Sequence, residues 1–199
     1  MFKKNTVPLT WPKKLERLSR ILDRFRATSV FFDLEYPSYL ISSIDARKWT
    51  SWASLSALAS ILEVAEFEFD DLGLLSQWKQ SSELREIRND KRLAVLKELR
   101  NYEVHIEYQK RLSHMEIDKK LINETVDHDS FFFTPINWVE FQKLNNVKSG
   151  RSIVDQNAVL DFNKYVETYS VETIINQTLE WLADKICAFI QTSDSNISK

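Results

Sequence analysis

Leu15, Leu18, Ile21, Leu22 and Phe25 recur at intervals of three and four, the spacing of one face of an α-helix. They predict an amphipathic helix over residues 12–27 with Pro12 in its first turn. Val30, Phe31 and Phe32 either extend that helix or pack as a loop. Pro37 opens a second helical region. Its later part, residues 49–69, sets Trp52, Leu55, Leu58, Ala59, Leu62 and Ala65 on one face, the pattern of a core helix. Asp70-Asp71-Leu72-Gly73 predicts a break, after which residues 74–89 and 90–112 read as helices with a bend near Asn89-Asp90.

Beyond His114 the periodicity weakens. Asp127-His128-Asp129-Ser130 and residues 145–150 predict loops, and residues 130–133 form either a short strand or an apolar plug. Residues 115–155 therefore read as a loop-rich insertion. Val159, Phe162, Tyr165 and Val166 restore the helical pattern, and Val171, Ile174, Ile175, Leu179, Leu182 and Ile186 continue it. The expectation is a long C-terminal helix, kinked around Tyr169-Ser170, with a polar and frayed end over residues 193–199.

Composition narrows the fold class. With 2 Gly and 4 Pro in 199 residues, the chain lacks the turn chemistry that sandwiches, barrels and doubly wound sheets need at their corners. It reads as one all-α domain over residues 1–199, a helical bundle of five or more helices. The apolar faces of residues 12–27, 49–69 and 171–190 are expected to meet in one core. The single cysteine, Cys187, sits among Ala188, Phe189 and Ile190, a setting for a small buried thiol. A lone cysteine and the polar start Met1-Phe2-Lys3-Lys4 lead to the expectation of a cytoplasmic protein. Apolar stretches such as residues 57–65 are too short to span a bilayer, so no membrane association is expected.

A net charge of −2 is unlike that of a protein that coats nucleic acid non-specifically. Basic residues are nonetheless concentrated in two stretches. Residues 3–26 hold eight, and residues 85–111 hold eight against five acidic ones. Most such runs are solvated helix faces. The second run, however, contains the hexapeptide Arg100-Asn101-Tyr102-Glu103-Val104-His105, which puts a fixed cation, a side-chain amide and an imidazole within two helical turns. Arginine can hold a phosphate bidentately, and histidine can move a proton near neutral pH. On a straight helix Arg100 and His105 differ in direction by about 140° and in height by about 7.5 Å, whereas Asn101 lies about 40° from His105. For Arg100 and His105 to serve one phosphate, the arginine must curl, the helix must bend or start nearby, or a second subunit must complete the site.

An arginine followed by a polar residue, then by a histidine after four intervening positions, resembles the signature of the HEPN superfamily of small helical domains. Many of its members are metal-independent endoribonucleases that dimerise around a shared cleft, and others only bind nucleotides or partners. The resemblance implies a homodimer that cleaves single-stranded RNA in a toxin–antitoxin or phage-defence setting, with an antitoxin or nucleotidyltransferase-like partner. It implies catalytic roles for Arg100, Asn101 and His105. The RNA 2′-hydroxyl attacks phosphorus, His105 moves the proton, Arg100 stabilises the phosphoryl charge, and Asn101 orients His105 or the phosphate.

Two other readings stand beside it. One is a non-catalytic HEPN-like module that binds a nucleotide or a protein. The other is a helical scaffold in which Arg100 pairs with Glu103 or Glu107 and His105 is a satisfied, partly buried side chain. No cofactor and no metal are expected. His105, His114 and His128, with Asp127 and Asp129, have no metal-site spacing, and Gly73 and Gly150 stand alone, so no glycine-rich phosphate loop exists. The aromatic residues at helical spacing are core before they are stacking platforms, with Trp11, Trp49 and Trp138 less clearly internal.

Overall fold

The computed structural model describes residues 18–33, 53–102, 115–117, 131–133, 135–169 and 171–197. In chain order these form α1 (Ser19–Asp33), α2 (residues 53–59), α3 (Ile61–Asp71), α4 (Leu75–Gln80), α5 (Ser82–Asn89) and α6 (Lys91–Tyr102). There follow β1 (Met115–Ile117), β2 (Phe131–Phe133), α7 (Trp138–Phe141), α8 (Asn145–Lys148), α9 (Gln156–Val166) and α10 (Val171–Ile197). The architecture is helical, with one two-stranded antiparallel ladder that places Met115 opposite Phe133 and Ile117 opposite Phe131. Phe131–Phe133 of the run expected to form a strand or an apolar plug is therefore a strand. Pro12, Leu15, Pro37, Trp49 and Trp52 lie outside the described residues.

Local chemistry explains where the helices stop. Gly73, at φ 69°, adopts the left-handed conformation that ends α3. Its amide donates to the Asp70 carbonyl at 2.9 Å, and the Leu74 amide donates to the Phe69 carbonyl at 2.7 Å. These are the paired bonds of a Schellman motif, which satisfy carbonyls that the helix leaves open. Ser81 is extended, and its hydroxyl accepts from the Leu84 amide at 3.1 Å, so the run expected over residues 74–89 divides into α4 and α5. Asp90 repeats the device, its Oδ1 accepting from the Leu93 amide at 2.7 Å, and this cap is the bend expected near Asn89-Asp90. Before α9, Asp155 accepts from the Ala158 amide at 2.7 Å, while Val154 and Val159, buried on either side of the cap, occupy the positions of a hydrophobic staple.

The three expected faces meet. Ile21 and Phe25 of α1, Leu58, Ile61 and Phe69 of α2 and α3, and Ile175, Leu179 and Ile186 of α10 belong to one buried cluster. Helix α1 packs on α3 and α10, α10 also packs on α5, and α9 lies against α6. Phe69, Trp78 and Phe189 join α3, α4 and α10 through rings whose centroids are 4.9 to 5.0 Å apart. Cys187 is buried beside Phe189 and Ile190.

Helix α1 extends through Val30-Phe31-Phe32 to Asp33, one of the two courses expected there. Three features differ in detail from the sequence expectation. The 49–69 segment is interrupted at Ser60, whose hydroxyl bonds back to the Ala57 carbonyl at 2.8 Å. The region expected to be loop-rich, 115–155, contributes the ladder, α7, α8 and the core side chains Ile136, Phe141, Leu144 and Val154. The C-terminal helix is not frayed from residue 193: α10 continues to Ile197, and Ser193 is buried because it follows Ile186, Phe189 and Ile190 at helical spacing. Among the described residues no helix is long and apolar enough to cross a membrane.

One buried carboxylate ties two helices together. Glu68 of α3 accepts hydrogen bonds from the Arg20 amide at 3.2 Å and the Ile21 amide at 2.8 Å, capping the first turn of α1 with a negative charge. The adjacent Arg20–Asp71 ion pair is exposed on both sides and contributes little. Replacing Leu58 or Leu179 by alanine is expected to lower stability by about 2 to 5 kcal/mol, the range for large-to-small changes at fully buried positions. Glu68→Ala should cost about 1.5 to 3 kcal/mol through the lost charged cap. Urea unfolding of each variant measures both, and a Glu68→Ala midpoint equal to the parent's would exclude the cap as a stabilising contact.

Candidate functional site

Helix α6 is enclosed along much of its length, and that enclosure defines the surroundings of Arg100 and Asn101. Leu93, Val95, Leu96 and Leu99 are buried, while Ala94, Lys97, Arg100 and Asn101 are half-buried. Arg100 follows Leu96 by four residues and Leu93 by seven, so its side chain leaves the helix on the core-facing side. Asn101 falls instead on the stripe of Ala94 and Lys97.

The polar contacts form a short chain. Arg100 Nη1 donates to Asn101 Oδ1 at 3.0 Å, and Asn101 Nδ2 donates to Glu98 Oε2 at 3.4 Å. Glu98 is buried, only 7% exposed, so its carboxylate faces the amide from inside the protein. With the amide nitrogen drawn to Glu98, the amide oxygen is left facing Arg100, which sets the orientation of the guanidinium. Arg100 Nε is itself buried and meets no acceptor among the described residues. An unsatisfied donor of this kind costs about 1 to 3 kcal/mol. Lys97, one turn earlier, is more than half buried, and desolvation lowers its pKa below the usual lysine value, with Glu63 opposing that shift.

Of the residues singled out in the sequence, Arg100 and Asn101 are therefore in contact in the last described turn of α6. His105, the third, lies outside the described residues, as do Glu103, Glu107, His114, Asp127, His128 and Asp129. Among the described residues no three His, Cys, Asp or Glu side chains gather as metal ligands. Glu98 and Lys97 were not singled out. The available signal was spacing: Glu98 precedes Asn101 by three residues and Lys97 precedes it by four, both contact distances on a helix.

In comparisons with known proteins, no family model, curated protein or solved structure matches this chain.

The arrangement can bind an anion. A guanidinium whose Nη1 is held by an amide and whose Nε has no acceptor among the described residues is a ready donor to phosphate or carboxylate oxygens. Its retention opposes stability, and this gives a test. Arg100→Met keeps the stem and removes the unsatisfied donor, so it should unfold at the same urea concentration as the parent or higher. A loss of more than about 1.5 kcal/mol would instead assign Arg100 to holding the fold together.

Proposed function

We propose that this chain is an HEPN-like helical domain that acts as a homodimeric, metal-independent endoribonuclease on single-stranded RNA, in a toxin–antitoxin or phage-defence setting. An antitoxin or a nucleotidyltransferase-like protein is its natural partner in that setting. The observation that carries the reading is Arg100, whose guanidinium is oriented by Asn101 and keeps a buried donor without an acceptor among the described residues. A phosphoryl oxygen is the kind of acceptor that would satisfy this donor once the side chain turns toward a ligand. The HEPN resemblance makes His105 the proton carrier, and in this reading a second subunit brings it to the phosphate that Arg100 holds.

In this mechanism the 2′-hydroxyl of one nucleotide attacks the adjacent phosphorus while His105 moves the proton, and the 5′-oxygen of the next nucleotide departs. Arg100 stabilises the charge gathering on the non-bridging oxygens, and Asn101 holds Arg100 in place. The products are a 2′,3′-cyclic phosphate and a 5′-hydroxyl. One observation favours the second reading, a non-catalytic module that binds a nucleotide or a protein: Glu98 brings a buried negative charge to the same polar chain, which suits reversible binding of a less charged ligand.

Purified protein is expected to cleave single-stranded RNA in EDTA and to leave DNA intact, because DNA lacks the nucleophile. His105→Ala and Arg100→Ala should each lower the rate by about 10²-fold or more, the scale of losing a positioned proton carrier or an oxyanion stabiliser. Cleavage that survives both substitutions, or that requires a divalent ion, transfers the case to the binding module.

A further inference from the structure

Arg92 stands eight residues before Arg100 on α6, about 12 Å along the axis and about 80° around it. Its guanidinium carbon lies over the ring of Tyr165 in α9, 5.1 Å from the centroid. Tyr165 in turn meets Tyr169 at a centroid distance of 4.8 Å and an interplanar angle of 48°. Packing accounts for Tyr165, which lies against the core and whose hydroxyl donates to Gln177 Oε1 of α10. It does not account for Tyr169. That residue sits in the turn after α9, its amide held by the Tyr165 carbonyl at 3.1 Å, and it remains 37% exposed.

The result is a pre-ordered ladder of cation, ring and ring whose outermost member stays open to solvent. Among the described residues Arg92 is in no ion pair, while two nearby acids are already taken, Asp155 by Lys91 at 2.8 Å and Asp161 by Lys164 at 3.3 Å. An exposed ring one aromatic neighbour away from an arginine that is in no ion pair among the described residues combines a stacking surface with a cation, the equipment for sequence-tolerant binding of single strands, in which bases stack on the ring and the cation follows the backbone.

We propose that Arg92, Tyr165 and Tyr169 form a base-stacking subsite for single-stranded RNA, a base lying on Tyr169 and the neighbouring phosphate meeting Arg92. The choice of RNA as ligand rests on the function proposed above. The subsite extends the footprint of the strand along α6, from Arg100 toward the start of the helix. Tyr165 serves as the fixed backing that keeps the Tyr169 ring in place.

The test is fluorescence anisotropy of labelled single-stranded oligo(A) RNA with the full chain carrying His105→Ala, so that the probe is not consumed. Adding Tyr169→Ala should weaken binding about 5- to 150-fold, the range for loss of one stacked base, and Tyr169→Phe should restore it because the ring is kept. Adding Arg92→Ala should weaken binding and reduce the salt-dependence slope by about 0.7, the contribution of one cation on a single strand. Unchanged unfolding midpoints establish that the variants are folded. RNA binding that is equal in Tyr169→Ala and its parent, or absent from the parent, overturns the subsite; retention by these variants of a bound protein partner instead of RNA would do the same. Cleavage assays with His105 intact separate the two proposals. A chain that cleaves RNA but ignores Tyr169→Ala keeps its catalytic reading and loses the subsite, whereas a chain that binds RNA through Tyr169 and cleaves nothing keeps the subsite and loses the catalytic reading.

Discussion

The enclosure of α6 is the constraint on which the rest of the structure depends. A helix that buries Leu93, Val95, Leu96 and Leu99 must be covered by its neighbours, and α5 and α9 do so. Each neighbour is held in place at a helix end. Asp90 starts α6 directly after α5, and Asp155, which starts α9, also takes the ammonium of Lys91 at the start of α6. The Lys91 bond and the Ala158 amide both hold the Asp155 carboxyl below its usual pKa. Hydrophobic burial supplies the driving force, and these capped ends fix the directions in which it acts.

That constraint gives Arg100 its character. In a helix with a wide polar face, an arginine of this kind would be solvated on every side and would bind no anion in a defined pose. Here it leaves a largely apolar arc, so water reaches only part of the guanidinium, and the remaining contact is an amide already oriented by Glu98. Partial desolvation strengthens whatever interaction the guanidinium then makes. The same surroundings shape Lys97, which burial makes easier to deprotonate than an ordinary lysine.

Much of the helical framework was legible because long amphipathic segments repeat their signal. The faces of α1, α3 and α10 follow from spacing alone, and the break at Gly73 follows from the one residue that accepts a positive φ without strain. The short elements were less legible. Helices of four residues, such as α7 and α8, complete barely one turn and show no periodicity, so a region that places Phe141 and Leu144 in the core reads as loop. The division at Ser81 was missed because the serine continues the polar face of a helix and also makes a good cap, and only its extended backbone decides between the two. At the candidate site, Arg100 and Asn101 were legible as residue types. Their contact, and the role of Glu98 behind it, depend on which arc of α6 is covered, and this is a property of the assembled core.

The pairing of α1 with α10 bears on how the protein is made. Phe25 and Ile21 find part of their cover on a helix that begins at Val171, so the ribosome delivers the first apolar face well over a hundred residues before its last neighbour. The cap from Glu68 is closer in sequence, with fewer than fifty intervening residues, and fixes α1 against α3. A chain that ends before residue 171 lacks the cover from α10, so Ile21 and Phe25 lose part of the surroundings that bury them.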